Sequence, residues 1–165
     1  MTVVTNYAMG IDIGGTTVKS VAVTPAGDIL ERRNSTTAHE SVASLVDEVR
    51  GIVAACEAAR GPAATVGISS PGLAARDGRS IAWMMGRMEA VMGLDWTVRL
   101  GRRETVPVLN DAHAALLGEV WCGAAAGARD AVLLTLGTGV GGAILCDGRL
   151  LQGQLGRAGH LGHLS

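Results

Sequence analysis

A glycine pair near the start of the chain has the residue types of a phosphate-binding turn. The segment DIGGTT begins at Asp12 and places Gly14 and Gly15 between two strand-like runs. Glycine N–H groups can approach phosphate oxygens, and the hydroxyls of Thr16 and Thr17 add donors. The Asp12 carboxylate could bind Mg²⁺ through water. An ordinary Gly-Gly hairpin has the same sequence, so a polyphosphate site is one of two interpretations.

A second glycine-rich segment, GTGVGG, begins at Gly137 and formally satisfies G-x-G-x-x-G. The dinucleotide-binding fingerprint requires a helix directly after the glycines. Here the strand-like run AILCDG follows, so we exclude dinucleotide binding. We interpret Gly137, Thr138 and Gly139 as a second phosphate-binding hairpin with Thr138 as the hydroxyl donor, and a plain glycine turn is the alternative.

An Asn-Asp pair lies where a predicted buried strand meets an apolar helix. The segment NDAHAALLGE starts at Asn110, directly after the strand-like residues 106–109. Asp111 is a favoured residue type for a helix N-cap. A carboxylate between two phosphate-binding turns could instead accept the proton of a substrate hydroxyl as it attacks a γ-phosphoryl group. The two roles are compatible.

The elements that must position these residues begin with an antiparallel meander. Three β-rich runs fill the first 35 residues, joined by turns at the glycine pair and at residues 26–28. From Ser41 the hydrophobic period changes to that of an amphipathic helix, which we expect to end near residues 60–62. The helix's apolar face comprises Val42, Leu45, Val46, Val49, Ile52, Val53 and Cys56.

Downstream, strands alternate with helices, which predicts an α/β layer architecture. Residues 64–69 and 106–110 read as strands and residues 111–121 as a helix, whereas residues 73–105 show no sustained period. Small residues at 123–128 suit a crossing between two lobes. From residue 131 a strand, a glycine turn, a strand, a tight Asp147-Gly148 turn and a last strand at residues 149–153 follow. The strand, glycine turn and strand repeat the plan of the first meander, which we interpret as an internal duplication. The last 13 residues carry no strong signal, so we expect the chain to stop within its second lobe.

Composition excludes several classes of protein. The 165 residues carry 14 Lys and Arg against 15 Asp and Glu, with no basic cluster, which argues against a nucleic-acid or membrane partner and for a small molecule. Cys56, Cys122 and Cys146 lie far apart, so neither a disulfide framework nor a zinc ribbon is predicted. No apolar run approaches the ~20 residues of a membrane span, and no export signal is evident. A cytoplasmic protein is expected.

Five ordered motifs, DIGGT, SPG, NDAHAALLGE, LTLGTGVGGAI and GRAGHLGH, resemble the ROK family of bacterial sugar kinases, within the actin-like ATPase superfamily. The resemblance runs from about Met9 to His163. It implies an α/β fold: an actin-like ATPase (ribonuclease H-like) lobe, with an antiparallel meander plus alternating strands and helices, at residues 1–122. The start of a similar, nucleotide-binding lobe would follow at residues 123–165.

The resemblance also implies residue roles. Asp111 matches the catalytic base, Asn110 a sugar-hydroxyl ligand, and Gly72 a residue lining the sugar pocket. Two sets match the phosphate motifs: Asp12, Gly14, Gly15 and Thr16 in the first, and Gly137, Thr138 and Gly139 in the second.

The last motif departs from the family pattern. Many ROK kinases have G-E-[IL]-G-H, whose Glu hydrogen-bonds the sugar, and His160 occupies that position here. A neutral imidazole accepts one hydrogen bond where a carboxylate accepts several. His163 matches the family His that touches sugar and often ligates structural zinc. The three cysteines that normally complete this zinc site are not at matching positions, so we expect no zinc.

The resemblance implies phosphorylation of a hexose or N-acetylhexosamine by ATP and Mg²⁺, with polyphosphate as an alternative donor and a homodimer at full length. A complete ROK kinase is nearly twice as long. One alternative is a sugar-sensing ROK regulator, disfavoured because only eleven residues precede Asp12, too few for a helix-turn-helix domain. Another is a non-catalytic piece, in which apolar strands at residues 131–151 would favour association.

Overall fold

A computed structural model describes residues 6–35, 41–84, 88–137 and 139–163, apart from the side chain of His163. Short 3₁₀ turns lie at Glu89–Val91 and Leu161–His163. The helices and strands in chain order are β1 (Ala8–Ile13), β2 (Val18–Val23), β3 (Ile29–Ser35), α1 (Val42–Arg60), β4 (Thr65–Ser70), β5 (Leu73–Ala74), β6 (Ile81–Trp83), α2 (Trp96–Arg99), β7 (Val108–Asn110), α3 (Asp111–Cys122), β8 (Ala131–Leu136), β9 (Val140–Cys146) and β10 (Arg149–Leu150).

A five-stranded mixed sheet forms the first layer, in the order β3-β2-β1-β4-β7. The predicted meander β1-β2-β3 is confirmed as antiparallel. Strand β4 pairs with β1 in parallel, and β7 pairs with β4 in parallel. Parallel pairs need a crossover between their strands, and α1 supplies it between the meander and β4. The α/β class predicted from the sequence is therefore confirmed.

Helix α1 covers one face of this sheet. It begins after Ser41, whose side chain accepts a hydrogen bond from the backbone N–H of Ser44 while the Ser44 hydroxyl reaches back to the Ser41 N–H. It ends at Gly61, which has a φ of 84°. The predicted apolar face is confirmed: five of its members are buried and the other two are partly buried against the core. Burial of each large aliphatic side chain stabilises the fold by about 1.5–3 kcal/mol.

Helix α3 lies between two sheets. It contacts β4 and β7 of the five-stranded sheet and β8 and β9 of a three-stranded sheet ordered β10-β9-β8. Ala112 and Leu116 of the helix are buried with Ala143 and Leu145 of β9 in a second, smaller core. The start of α3 is consequently held from both sides.

Three sequence expectations need correction. The strand predicted at residues 106–110 begins only at Val108, and the run after residue 148 pairs only over Arg149–Leu150. The glycine turn predicted over residues 137–142 ends at Gly139, because Gly141 and Gly142 belong to β9. A side chain at Gly142 would collide with the carbonyl of Gly159. Gly142 therefore allows the backbone of Gly159 to pack closely on β9 and is not part of a turn. In residues 73–105, which lacked a period, the structure has β5, β6 and α2.

Strand β8 exposes apolar side chains at the edge of its sheet. Val132 is 62% exposed, Leu134 55% and Leu136 82%. A long, apolar edge strand is a template for pairing with another chain.

Within the described residues, no helix is both long enough and apolar enough to cross a bilayer.

We expect the 165-residue chain to associate reversibly through this edge. Replacing Leu134 by Lys should raise the concentration at which association sets in by about tenfold or more, because a charge at a strand edge opposes pairing. Sedimentation velocity over a concentration series measures this. The control is Val98→Lys, since Val98 is 69% exposed on α2, away from β8. Equal association of both variants would show that β8 is not the contact.

Candidate active site

A cavity of about 520 Å³ opens where α3, the β5-β6 hairpin, β9 and the loop at residues 157–160 meet. Its walls include four residues singled out from the sequence, Gly72, Asn110, Asp111 and His160. They come from three separate segments of the chain, so the fold brings them together. Volumes of roughly 300–1,000 Å³ are typical of small-molecule sites.

Asn110 connects the start of helix α3 to the floor of this cavity. Its Oδ1 accepts hydrogen bonds from the backbone N–H groups of Ala112 (3.0 Å) and His113 (3.3 Å), so Asn110 is the N-cap of α3. The cap role considered for Asp111 is therefore wrong, because Asn110 has the extended backbone that an N-cap requires. The Nδ2 of Asn110 donates to the Gly72 carbonyl at 2.9 Å. One buried side chain thus ties the helix start to the cavity floor.

Asp111 is the first residue of α3 and is exposed to the cavity. Its Oδ1 accepts a hydrogen bond from the Ala112 N–H at 2.8 Å. Within the described residues, its Oδ2 makes no hydrogen bond. Asp111 therefore lines the cavity with a carboxylate that is anchored through one oxygen.

Gly72 forms part of the floor and has a φ of +99°, a conformation that favours glycine. A Cβ at this position would lie 2.6 Å from the carbonyl oxygen of Trp83 and 2.7 Å from the Cβ of Met84. The floor is therefore built by close approach of the Ser-Pro-Gly turn to the β5-β6 hairpin.

His160 enters the cavity beside a second, buried imidazole. The ring of His113 lies edge-on to that of His160, with centroids 5.8 Å apart. His113 is 2% exposed, and its Nε2 lies 3.4 Å from the Ala158 carbonyl oxygen. A carbonyl only accepts, so Nε2 carries the proton in this contact. Burial lowers the pKa of His113, although the Ala158 carbonyl and the charge of Asp111 act in the opposite direction.

The lowered pKa of His113 predicts a loss of stability in mild acid. The unfolded imidazole titrates near 6.5 and the folded one lower, so between these values the unfolded state binds more protons. The free energy of unfolding should therefore fall as the pH drops from 7 through this window. Urea denaturation at several pH values measures it.

The variant His113→Gln keeps a donor for Ala158 and removes the titration, so its stability should change less over the same range. His39→Gln removes an imidazole elsewhere in the sequence and serves as the control. An unchanged pH slope in His113→Gln would contradict the assignment.

The described residues that were predicted to bind phosphate lie outside this cavity. Asp12 faces a separate cavity of about 640 Å³ on the sheet face opposite α1, where its Oδ1 accepts a hydrogen bond from the Ser69 hydroxyl at 2.8 Å. Gly14 closes the first turn by donating its N–H to the Thr17 carbonyl at 2.8 Å, while Gly15 and Thr16 are exposed.

In the second turn Gly137 and Gly139 are exposed, and Thr138 lies outside the described residues. Of the predicted phosphate-binding residues that the structure describes, none lines the cavity of Asp111. Among all the residues that the structure describes, no group of three His, Cys, Asp or Glu side chains could hold a metal ion. His163 ends the second 3₁₀ turn, and its side chain is outside the described part.

Sequence reasoning missed several cavity residues. Trp83 and Met84 lie in the region without periodicity, and Arg157 lies in a loop. His113 was within the quoted motif, two residues after Asp111, and the signal that could have identified it is its place in the first turn of the helix. Ser69, the partner of Asp12, sat at the end of a predicted strand.

Known proteins share this architecture. A glucokinase of Halalkalibacterium halodurans is 31% identical over 171 residues, covering 96% of this chain and 50% of that protein. An N-acetylmannosamine kinase of Escherichia coli O157:H7 is 33% identical over 158 residues, covering 94% of this chain and 53% of that protein. The chain thus spans about half the length of these relatives.

Among solved structures, the ROK family glucokinase of Streptomyces griseus in complex with glucose and AMPPNP superposes with a TM-score of 0.76 at 30% identity. The match covers 96% of this chain and 50% of that one. The family model described as "ROK family" matches residues 8–165. Because that match spans nearly the whole sequence, the chain belongs to the ROK family.

Proposed function

We propose that the protein containing this chain phosphorylates a hydroxyl group of a hexose or N-acetylhexosamine, with Asp111 as general base. The observation that carries the proposal is the exposed Asp111 carboxylate in a cavity shared with Asn110, Gly72 and His160. The named kinases among the relatives support the same reaction class.

Asp111 can accept a proton without rearrangement. The Ala112 N–H holds Oδ1, so the side chain is oriented before a sugar binds. Oδ2 would accept the hydrogen of the attacking hydroxyl, which increases the nucleophilicity of that oxygen. In phosphoryl transfer most of the catalytic effect comes from positioning and charge stabilisation, so an oriented base is the appropriate contribution from this residue.

Sugar binding would involve the residues around the base. One amide proton of Asn110 is used by Gly72, and the other has no partner among the described residues, so it could donate to a sugar hydroxyl. The imidazole of His160 would make one further hydrogen bond. Gly72 would contribute backbone surface, and His163 is proposed on the family match alone.

The two glycine turns are proposed to hold the phosphate donor. At Gly15 the nearest atom to an added Cβ is the Met88 sulfur at 3.9 Å, so the backbone is open to a phosphate oxygen, with the Thr16 hydroxyl beside it. Asp12 has one oxygen fixed by Ser69 and the other free for a metal-bound water in the described part. These residues fit ATP and Mg²⁺, which supply the transferred phosphoryl group and offset its charge, and polyphosphate would suit the same N–H donors.

We further propose that residues 1–122 form the sugar-binding lobe and residues 123–165 begin the nucleotide-binding lobe. Helix α3 contacts the sheets of both parts. We propose that closure of one lobe on the other would bring the phosphate donor to Asp111. Closure would also exclude water and limit hydrolysis of the donor.

The test is an assay of ADP release from ATP and Mg²⁺ by the protein expressed from its complete reading frame. The panel comprises glucose, mannose, fructose, N-acetylglucosamine and N-acetylmannosamine. We expect turnover that depends on the sugar. A folded protein that binds a sugar, as measured by calorimetry, but never phosphorylates it would overturn the kinase proposal and favour the sugar-sensing regulator. The 165-residue chain, assayed in parallel, should show little turnover.

A further inference from the structure

One wall of the cavity carries none of the residues assigned above. It is formed by Trp83, the last residue of β6, and Arg157, in the loop that follows β10. The guanidinium carbon of Arg157 lies 5.3 Å from the centre of a Trp83 ring, a cation–π contact. The pair therefore connects the β5-β6 hairpin to the loop that carries His160.

The backbone on both sides of this contact is fixed. Trp83 is opposite Leu73 in the β5-β6 ladder, next to Gly72 on the cavity floor. Arg157 precedes Ala158, whose carbonyl faces His113, and Gly159, whose backbone packs against Ala143. The side chains can therefore define a subsite instead of simply following a mobile loop.

The chemistry of this wall is a cation beside an apolar surface. A guanidinium has five N–H donors in its plane, and the contact with Trp83 is a cation–π contact that does not use them as hydrogen-bond donors. No carboxylate pairs with Arg157 in the described part of the chain. The nearby cavity lining is apolar, from Pro71, Leu73, Met84 and Val140.

We propose that Trp83 and Arg157 are specificity-determining residues that favour a sugar with an acylamino substituent over the parent hexose. The acyl carbonyl would accept a hydrogen bond from Arg157, and its methyl group would pack on Trp83 and Met84. A hydroxyl in the same place would leave this apolar surface uncovered. The inference rests on the proposed sugar kinase function and adds to it the class of substrate.

The experiment compares N-acetylmannosamine with mannose and N-acetylglucosamine with glucose, using the complete protein. The measured quantity is the ratio of kcat/KM for each acetylated sugar to that of its parent. We expect a wild-type ratio above one and a decrease of about tenfold or more in Arg157→Gln, the magnitude of one hydrogen bond to a charged group. The kcat/KM for the parent sugar, which lacks the acyl group, should fall less than that for the acetylated sugar.

Trp83→Leu keeps apolar area but removes the stacking platform, and it should lower the ratio in the same direction. The matched control is Arg76→Gln, since Arg76 is an exposed arginine on a different cavity and its variant should retain the wild-type ratio. A wild-type preference for the parent hexose, or for glucuronate over both, would overturn the proposal. So would a ratio unchanged by Arg157→Gln.

Calorimetric affinities for the same sugars provide a second readout. If no sugar is phosphorylated, the kinase proposal fails, yet the affinity ratio between acetylated and parent sugars still decides for or against the subsite. The two proposals can therefore fail separately.

Discussion

Asp111→Asn should lower kcat for sugar phosphorylation by about 100- to 10,000-fold, the usual contribution of a general base. The amide is nearly the same size as the carboxylate, and its oxygen can still accept the Ala112 N–H that orients the side chain. Its basicity is lost, however. The affinity for the sugar and the free energy of unfolding should change little, because the side chain is exposed and Asn110 provides the helix cap.

Steady-state kinetics and sugar titration of the complete protein would measure both effects. Asp47→Asn is the matched control, because Asp47 is an exposed carboxylate on α1 with only a surface ion pair to Arg50. If Asp111→Asn kept kcat within threefold of the wild-type value, Asp111 would not be the base.

Gly72→Ala should destabilise the protein by about 3 kcal/mol or more and abolish sugar binding. Two costs combine: a positive φ strains a residue with a side chain by roughly 1–3 kcal/mol, and overpacking adds roughly 1–3 kcal/mol. The added methyl group would press on the Trp83 carbonyl and the Met84 side chain, and both of these residues line the cavity.

Gly61→Ala separates the two costs. Gly61 also has a positive φ, of +84°, but nothing lies within 4 Å of an added Cβ. Its variant should therefore show only the strain and should bind sugar normally. Urea denaturation of both variants measures the difference. Similar midpoints for the two alanine variants would refute the crowding at Gly72.

Helices and strands could be predicted from the sequence where the buried residues recur with the period of a helix or of a strand. The meander and α1 satisfy this condition, because alternate residues of β1 and β2 and one face of α1 are buried. Strands β5 and β6 have two and three residues, less than the pattern needs to be recognised, and their positions depend on contacts with distant parts of the chain.

The candidate site was predictable to the extent that residue type determines chemistry. The sequence predicts Asp111 and Asn110 as site residues, and both line the cavity. Both are good N-cap residue types, so only the backbone conformation could show which of them caps α3. Two contacts in the cavity depend on how the loop at residues 157–160 folds over β9. They are the contact of Arg157 with Trp83 and that of His113 with His160. No local pattern encodes that arrangement.

The packing of this loop has a consequence for the evolution of substrate preference. Gly159 has a φ of +88°, and a side chain there would press on the backbone of Ala143, while side chains at Gly142 or Gly162 would collide with Gly159 or Val140. These glycines let the loop backbone pack closely against β9. Arg157 and His160, on either side of Gly159, carry the side chains of this loop that line the cavity. Substitutions at Arg157 and His160 can therefore change the selectivity of the pocket without refolding its frame. A small codon library at these two positions is where we would search for variants with altered sugar preference.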